Sequence, residues 1–319
     1  MDALPAPSPE KTTTRDWSEL PVDALSVVFA KLGAVEVLMG AGLVCRPWLD
    51  ATKLPHLWRC VDIAAMKKKR AVLCVMADEA VKRADGQLEA FMAGAFVTNK
   101  LLKHVGDSSP TLKRLWLESC SLVTSNGLAQ MIAMAPLLEE LVLSYCRKVR
   151  GGGGGGGGVY AAVAEACPRL RRLEVRRYPA WRDDDGGGDH HRRRPLGIAA
   201  MRELRHLTLV GVAGAGDDEL AAIVDGGCPH LEVLHVSECP GLAAVDVAAL
   251  RSKCGGVKCG GFTPASRPPM TTSRRLRRRK SGDRLATAGP TGSTTGQIGP
   301  PEKYSAQLRP ATVLFANRY

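Results

Sequence analysis

Residues 112–120 read LKRLWLESC, residues 138–146 read LEELVLSYC and residues 231–239 read LEVLHVSEC. The shared spacing, LxxLxLxxC, sets leucines at alternating positions over a short span, as in a strand with one buried face. LRRLEVRRY from Leu170 and LRHLTLVGV from Leu204 fit the frame without the cysteine, and QLEAFMAGAF, with Leu88, Phe91 and Ala93, is a degenerate first copy. Starts at 88, 112, 138, 170, 204 and 231 are separated by 24, 26, 32, 34 and 27 residues. The two long intervals contain insertions, the glycine run at 150–158 and the DDDGGGDHHRRR segment at 182–195. Without them both intervals return to roughly the common period, a length typical of stacked structural repeats.

Each copy has a second half. TSNGLAQMIAMAP offers Thr124 or Ser125 as a helix N-cap, with Leu128, Met131 and Ile132 inward. GDDELAAIVDGGCP offers Asp217 or Asp218 as cap with Leu220, Ile223 and Val224 inward, and VYAAVAEACP fills the same slot. Strand, turn and helix repeat as units that bury a core only by stacking. The expected fold is α/β: a curved solenoid over 87–260, with parallel strands inside and helices outside. Alternation along each strand presents Arg114, Trp116 and Glu118, then Glu140, Val142 and Ser144, on the concave face. Arg172, Glu174 and Arg176, then His206, Thr208 and Val210, then Val233, His235 and Ser237 follow. Arg114, Trp116, Val142, Glu174, Thr208 and His235 are the candidate substrate contacts, with Trp116 the natural anchor or else a packing residue against neighbouring structure.

Upstream, residues 17–63 read WSELPVDALSVVFAKLGAVEVLMGAGLVCRPWLDATKLPHLWRCVDI. Pro21 suits a first helical turn and Asp23 its positive end. Leu25, Val28, Phe29 and Leu32 share one face of a helix that Gly33 stops. A second helix is expected from Val35 to Trp48, with Leu38, Ala41, Cys45 and Trp48 on one side and Pro47 kinking or ending it. Gly40 and Gly42 inside it cost roughly 1 kcal/mol each against Ala. A unit this small buries a core poorly alone, so its apolar faces need a neighbour or a partner. Residues 64–86 read as a linking helix, with Val72, Val75, Met76 and Ala80 inward.

The order Leu20-Pro21, Leu25, Phe29, Leu32, Val44-Cys45-Arg46, Trp48, Leu57-Trp58-Arg59 and Asp62 resembles an F-box, placed at 15–63. The repeats resemble the cysteine-containing class of leucine-rich repeats, and the F-box, helix, repeat arrangement is similar to a group of plant F-box proteins. The resemblance implies an all-helical F-box that docks on a Skp-type adaptor and, through it, on the cullin of an SCF ubiquitin ligase. Trp17, Leu20, Pro21, Leu25, Val44, Cys45 and Trp48 carry over as the adaptor contacts. It also implies a non-catalytic subunit whose repeats hold a protein substrate. A leucine-rich-repeat scaffold without ligase recruitment, its helical segment serving as a cap, is the alternative reading of the residues.

Composition agrees. Aromatics make up 5% of the 319 residues, so the core is aliphatic. No run has the length of a membrane span, and MDALPAPSPE lacks the pattern of a secretory signal, so a cytosolic or nuclear protein is expected. Ten cysteines there are expected to be reduced. Cys120, Cys146 and Cys239 share a repeat offset, and Cys167 and Cys228 each precede proline, which indicates packing. Cys254 and Cys259 alone make a weak zinc pair, and neither metal nor cofactor is expected. His190 and His191 fall in the polar insertion, Cys45 on an apolar face, and the glycine run lacks the lysine of a phosphate loop. No catalytic constellation emerges.

Of the net charge of +12, residues 261–319 supply +9, from eleven Lys/Arg and two Asp/Glu. Arg274, Arg275, Arg277, Arg278, Arg279 and Lys280 concentrate it in a tail expected to be disordered, as are residues 1–14. Such a run suits nuclear import or nucleic acid, but its simplest reading is a solvated tail.

Overall fold

The computed structural model describes residues 16–151, 158–178, 196–212 and 214–239, and the backbone of 258–264. The two insertions (152–157 and 179–195), the N-terminal segment, the basic tail and the side chains of Cys254 and Cys259 lie outside the described residues. All that is described belongs to one compact unit ending at Pro268.

Among the described residues, eight parallel strands form one sheet in chain order. They are β1 (Cys60–Asp62), β2 (Ala90–Ala93), β3 (Arg114–Glu118), β4 (Glu140–Ser144), β5 (Arg172–Arg176), β6 (His206–Val210), β7 (Val233–Cys239) and β8 (Lys258–Pro264). Register is fixed by the leucine frame. Leu115, Leu141, Leu173, Leu207 and Leu234 stand side by side across β3–β7, and Leu117, Leu143, Val175, Leu209 and Val236 form the next row. Both rows are buried. A one-residue slip would turn every one of these side chains to the opposite face, so the register is strongly specified.

The frame also fixes the turn that follows each strand. Ser119, Tyr145, Gly211 and Glu238 occupy the same place in four copies, and all have left-handed φ, between 55° and 66°. The chain reverses there and delivers the next residue inward. In three copies that residue is cysteine, and its thiol donates to a backbone carbonyl of the preceding repeat: Cys120 to Gly94, Cys146 to Leu117 and Cys239 to Leu209. Cys167 and Cys228 do the same toward Ala135 and Ile198 at helix ends. The eight described cysteines are free thiols.

Helices α4 (Arg70–Ala84), α5 (Asn99–Ser108), α6 (Ser125–Ile132), α7 (Val159–Ala166) and α8 (Asp217–Ala222) lie in the connections. They follow α1 (Val22–Lys31), α2 (Ala34–Met39) and α3 (Arg46–Ala51) of the N-terminal cluster. Thr124 caps α6 as its sequence indicates, its hydroxyl accepting from Gly127 N–H at 3.1 Å. In α8, Gly216 is the N-cap instead of an aspartate, and Asp217 opens the helix.

Several expectations are corrected. The single helix over 35–48 is two helices and a 3-10 turn (Ala41–Leu43). The chain breaks at Gly40, where a Cβ would meet Glu36 O at 2.9 Å. Pro47 therefore sits in the first turn of α3 and starts a helix, where its missing N–H costs nothing. Gly33 likewise opens α2, not closes α1.

The linking helix is in fact the outer helix of a first repeat, because β1 pairs in parallel with β2 (Val61 beside Phe91). Its inner face is also rotated from the expected one. Leu73, Met76, Ala77, Ala80, Val81 and Ala84 are buried, while Val72 and Val75 are exposed. Alanines let the helix approach the sheet closely. Arg83 on α4 ties this repeat to the N-terminal cluster: its guanidinium lies 5.3 Å over the Trp58 ring and donates to the Thr52 hydroxyl at 3.1 Å. Trp58, fully buried, donates to Thr52 O at 2.8 Å.

Candidate functional site

The N-terminal cluster has a small core and a large apolar surface. Leu25, Phe29, Val37 and Ala51 are buried. Trp48, half-buried, packs edge-on to Phe29 with ring centroids 5.5 Å apart, and its indole N–H donates to Trp17 O at 2.9 Å. Asp16 accepts from Ser18 N–H and stops the entering chain in a 3-10 turn (Trp17–Glu19).

The expected adaptor contacts divide by accessibility. Trp17 (57% exposed), Val44 (59%) and Pro21 are open to solvent. Leu20, Cys45 and Trp48 are half-buried, and Leu20 and Trp48 pack against the core beneath that surface. Leu25 is a correction: its side chain is wholly inside the cluster and forms part of its core, not of its open surface. The period of α1 turns Leu25 and Phe29 inward and leaves Val28 and Leu32 outside.

Sequence reasoning missed the most exposed large apolar side chain among the described residues. Leu43 (77% exposed) stands beside Val44 because the break at Gly40 converts 41–43 into a tight turn. Val22, Val27, Met39 and Leu49 extend the exposed apolar surface. The signal was the Gly40-x-Gly42 pair, which marks a break more readily than a costly helix.

On the sheet, five of the six candidate substrate contacts form one continuous row. Trp116, Val142, Glu174, Thr208 and His235 are directly paired across β3–β7. Arg114 lies in the flanking row with Glu140, Arg172, His206 and Val233. Trp116, Arg114, Thr208 and His235 are half-buried. Val142 and Glu174 are corrections, since both are buried on a face expected to be open. Val142 is covered between flanking strands.

Glu174 is enclosed by Arg172 and Arg176 on its own strand, which donate at 2.9 and 2.5 Å. Burial alone would raise its carboxyl, but the two guanidinium hydrogen bonds outweigh that and hold it below the ordinary value. At the end of this face Tyr145 and Tyr178 stack with centroids 4.3 Å apart.

The other buried carboxylate is structural. Glu219 accepts from the N–H groups of Leu196 and Ile198 at 3.0 and 2.9 Å, anchoring the chain where it returns from the insertion. Among the described residues no group of three or more His, Cys, Asp or Glu could hold a metal ion. None of the described helices is long and apolar enough to cross a membrane.

Comparison with known proteins agrees with both halves. Residues 17–64 match the F-box-like family model. The chain is 35% identical over 244 residues to F-box/LRR-repeat protein 23 of Arabidopsis thaliana, covering 75% of this chain and 52% of that protein. It is 32% identical over 239 residues to F-box protein SKIP19 of the same plant, covering 74% of this chain and 73% of that one. It therefore spans about half the length of the first relative and nearly three quarters of the second. Among solved structures, the yeast Rad7–Elc1 complex matches at TM-score 0.48 and 13% identity, over 75% of this chain and 68% of that one. By sequence and by the joining of a helical cluster to a leucine-repeat sheet, the chain belongs to the F-box/leucine-rich-repeat family.

Proposed function

We propose that this chain is the substrate-recognition subunit of an SCF-type ubiquitin ligase. The helical cluster docks on a Skp-type adaptor, and through it on a cullin. The strand face opposite the helices holds a protein substrate. The observation that carries the reading is the apolar surface around Trp17, Leu43 and Val44, attached to a separate face with one row of mixed aromatic and polar side chains. Large apolar side chains left this open to solvent suit a protein interface. The chain then acts by binding, and catalysis belongs to its partners. The cytosol or nucleus is the proposed compartment, where packed, unpaired thiols suit a reducing environment.

The test is co-purification with a Skp-type adaptor. Wild type is expected to retain the adaptor, and Leu20→Ala/Pro21→Ala to lose it without unfolding. Failure of wild type to bind any such adaptor sinks the reading. One observation favours a second reading, a scaffold without ligase recruitment: Trp58 and Val61 bury the helical cluster against the first repeat, as a solenoid cap does. Retained substrate binding with no adaptor binding selects it.

A further inference from the structure

Lys67, Lys68, Lys69 and Arg70 are consecutive, exposed cations where the chain enters α4. Among the described residues no carboxylate lies within ion-pair reach of any of them. The placement is electrostatically adverse, since the N-terminal end of a helix is its positive end. No acidic residue occupies the first turn of α4, and none occupies that of α5 beside it. Both helices follow parallel strands, so their N-termini emerge at the same edge of the sheet.

The groove between α4 and α5 encloses about 520 Å³ and contains Cys74, Val75, Lys100 and Leu101. Its two carboxylates are already matched: Asp78 by Lys82 at 2.6 Å and Asp107 by Lys103 at 2.6 Å. Val72 and Val75 (68% exposed) stand on the outer surface of α4, two and five residues beyond Arg70. Positive charge without compensation thus adjoins apolar surface without cover.

We infer that Lys67–Arg70 and the α4–α5 groove dock an acidic segment of a protein partner that also carries apolar side chains. Its carboxylates meet the four cations and Lys100, and its apolar residues cover Val72 and Val75. The groove lining has no Phe, Tyr or Trp on which bases would stack, and its one imidazole, His104, lies 3.4 Å from Asp78, so a protein segment fits better than a nucleic acid. The site lies on the helical side, opposite the strand face, uses none of the residues assigned to the adaptor, and does not depend on adaptor docking.

The test uses the full chain and a fluorescein-labelled short peptide alternating Glu and Leu, read by anisotropy at about 0.1 M salt. A Gln/Leu peptide and a short RNA serve as comparators. The Glu/Leu peptide is expected to bind, and the Gln/Leu peptide roughly tenfold more weakly. Changing Lys67, Lys68, Lys69 and Arg70 together to Ser should weaken Glu/Leu binding by a similar factor and flatten its salt dependence. Val75→Ser should weaken it with the salt dependence unchanged. Changing the six cations between Arg274 and Lys280 to Ser should leave it nearly as it was. Thermal melts of the same variants report their folding and keep this result separate from the ligase reading. No binding of the Glu/Leu peptide overturns the inference. So does loss on neutralising the tail instead of Lys67–Arg70, indifference to Val75→Ser, or tighter binding of the RNA through the same four residues.

Discussion

The indole N–H of Trp48 donates to the backbone carbonyl of Trp17 at 2.9 Å, across 31 residues of chain. This bond fastens the entering segment, with its exposed Trp17 ring, to helix α3. Trp48 is itself fixed edge-on against Phe29 of α1, so one side chain sets the relative position of three segments. Trp48→Phe keeps a ring near Phe29 and removes the donor. It should destabilise the cluster by about 1 kcal/mol and loosen Trp17. A thermal melt reads the first effect. Adaptor pull-down reads the second, and an unchanged pull-down would show that Trp17 does not need this tether.

Successive repeats are locked by a small polar network around Gly127. Asn99, at the start of α5, accepts from Thr124 N–H at 3.0 Å and donates to the Thr124 hydroxyl at 3.0 Å. That hydroxyl in turn caps Gly127. A Cβ at Gly127 would overlap the Asn99 carboxamide. Gly127→Ala, which gains about 1 kcal/mol of helix propensity, should nevertheless lower stability by about 2 kcal/mol through overpacking and lost hydrogen bonds. Denaturant unfolding measures it, and a stabilised variant would contradict the network.

The leucine frame made most of the repeat fold legible, because strand alternation and register are both written in side chains that recur. Strand β1 was hidden because three residues, Cys60–Asp62, carry no such frame. The face of α4 was misjudged because valine was weighed over alanine. Helical spacing admits both assignments, and Ala77, Ala80 and Ala84 win since small side chains allow contact with the sheet. On the site, Trp17 and Val44 were legible as exposed, whereas Leu43 depended on a break at Gly40 that no periodicity records. Glu174 was read as open because alternation gives direction but not cover. Its cover comes from two arginines on the same strand.

Those arginines give Glu174 a pH signature. Its native carboxyl is held below the ordinary 4.5, so it stabilises the fold fully above that value. The contribution is lost as pH falls through the depressed native value. Glu174→Gln should remove this part of the acid sensitivity. It should also cost about 1–2 kcal/mol at neutral pH, less than a fully buried pair because Arg172 and Arg176 are nearly half exposed. Urea unfolding from neutral to acidic pH compares the two chains, and parallel curves would remove Glu174 from the account.

The cysteines respond in the opposite direction of pH. Burial pushes the Cys167 thiol up to about 12 and those of Cys228 and Cys239 up to about 11. The thiolate, not the thiol, reacts with disulfide reagents, so these three should resist labelling in the native chain and react promptly in urea. Their raised values also mean that the unfolded chain loses protons first. The stability they confer is complete below the ordinary thiol value of 9.0 and declines as pH rises through the native values. Replacing all three by Ala should flatten alkaline unfolding while lowering stability at neutral pH, since each loses packing and a weak bond to the preceding repeat. Rapid native labelling at Cys167, Cys228 or Cys239, identified by mass spectrometry, would refute their place in the core.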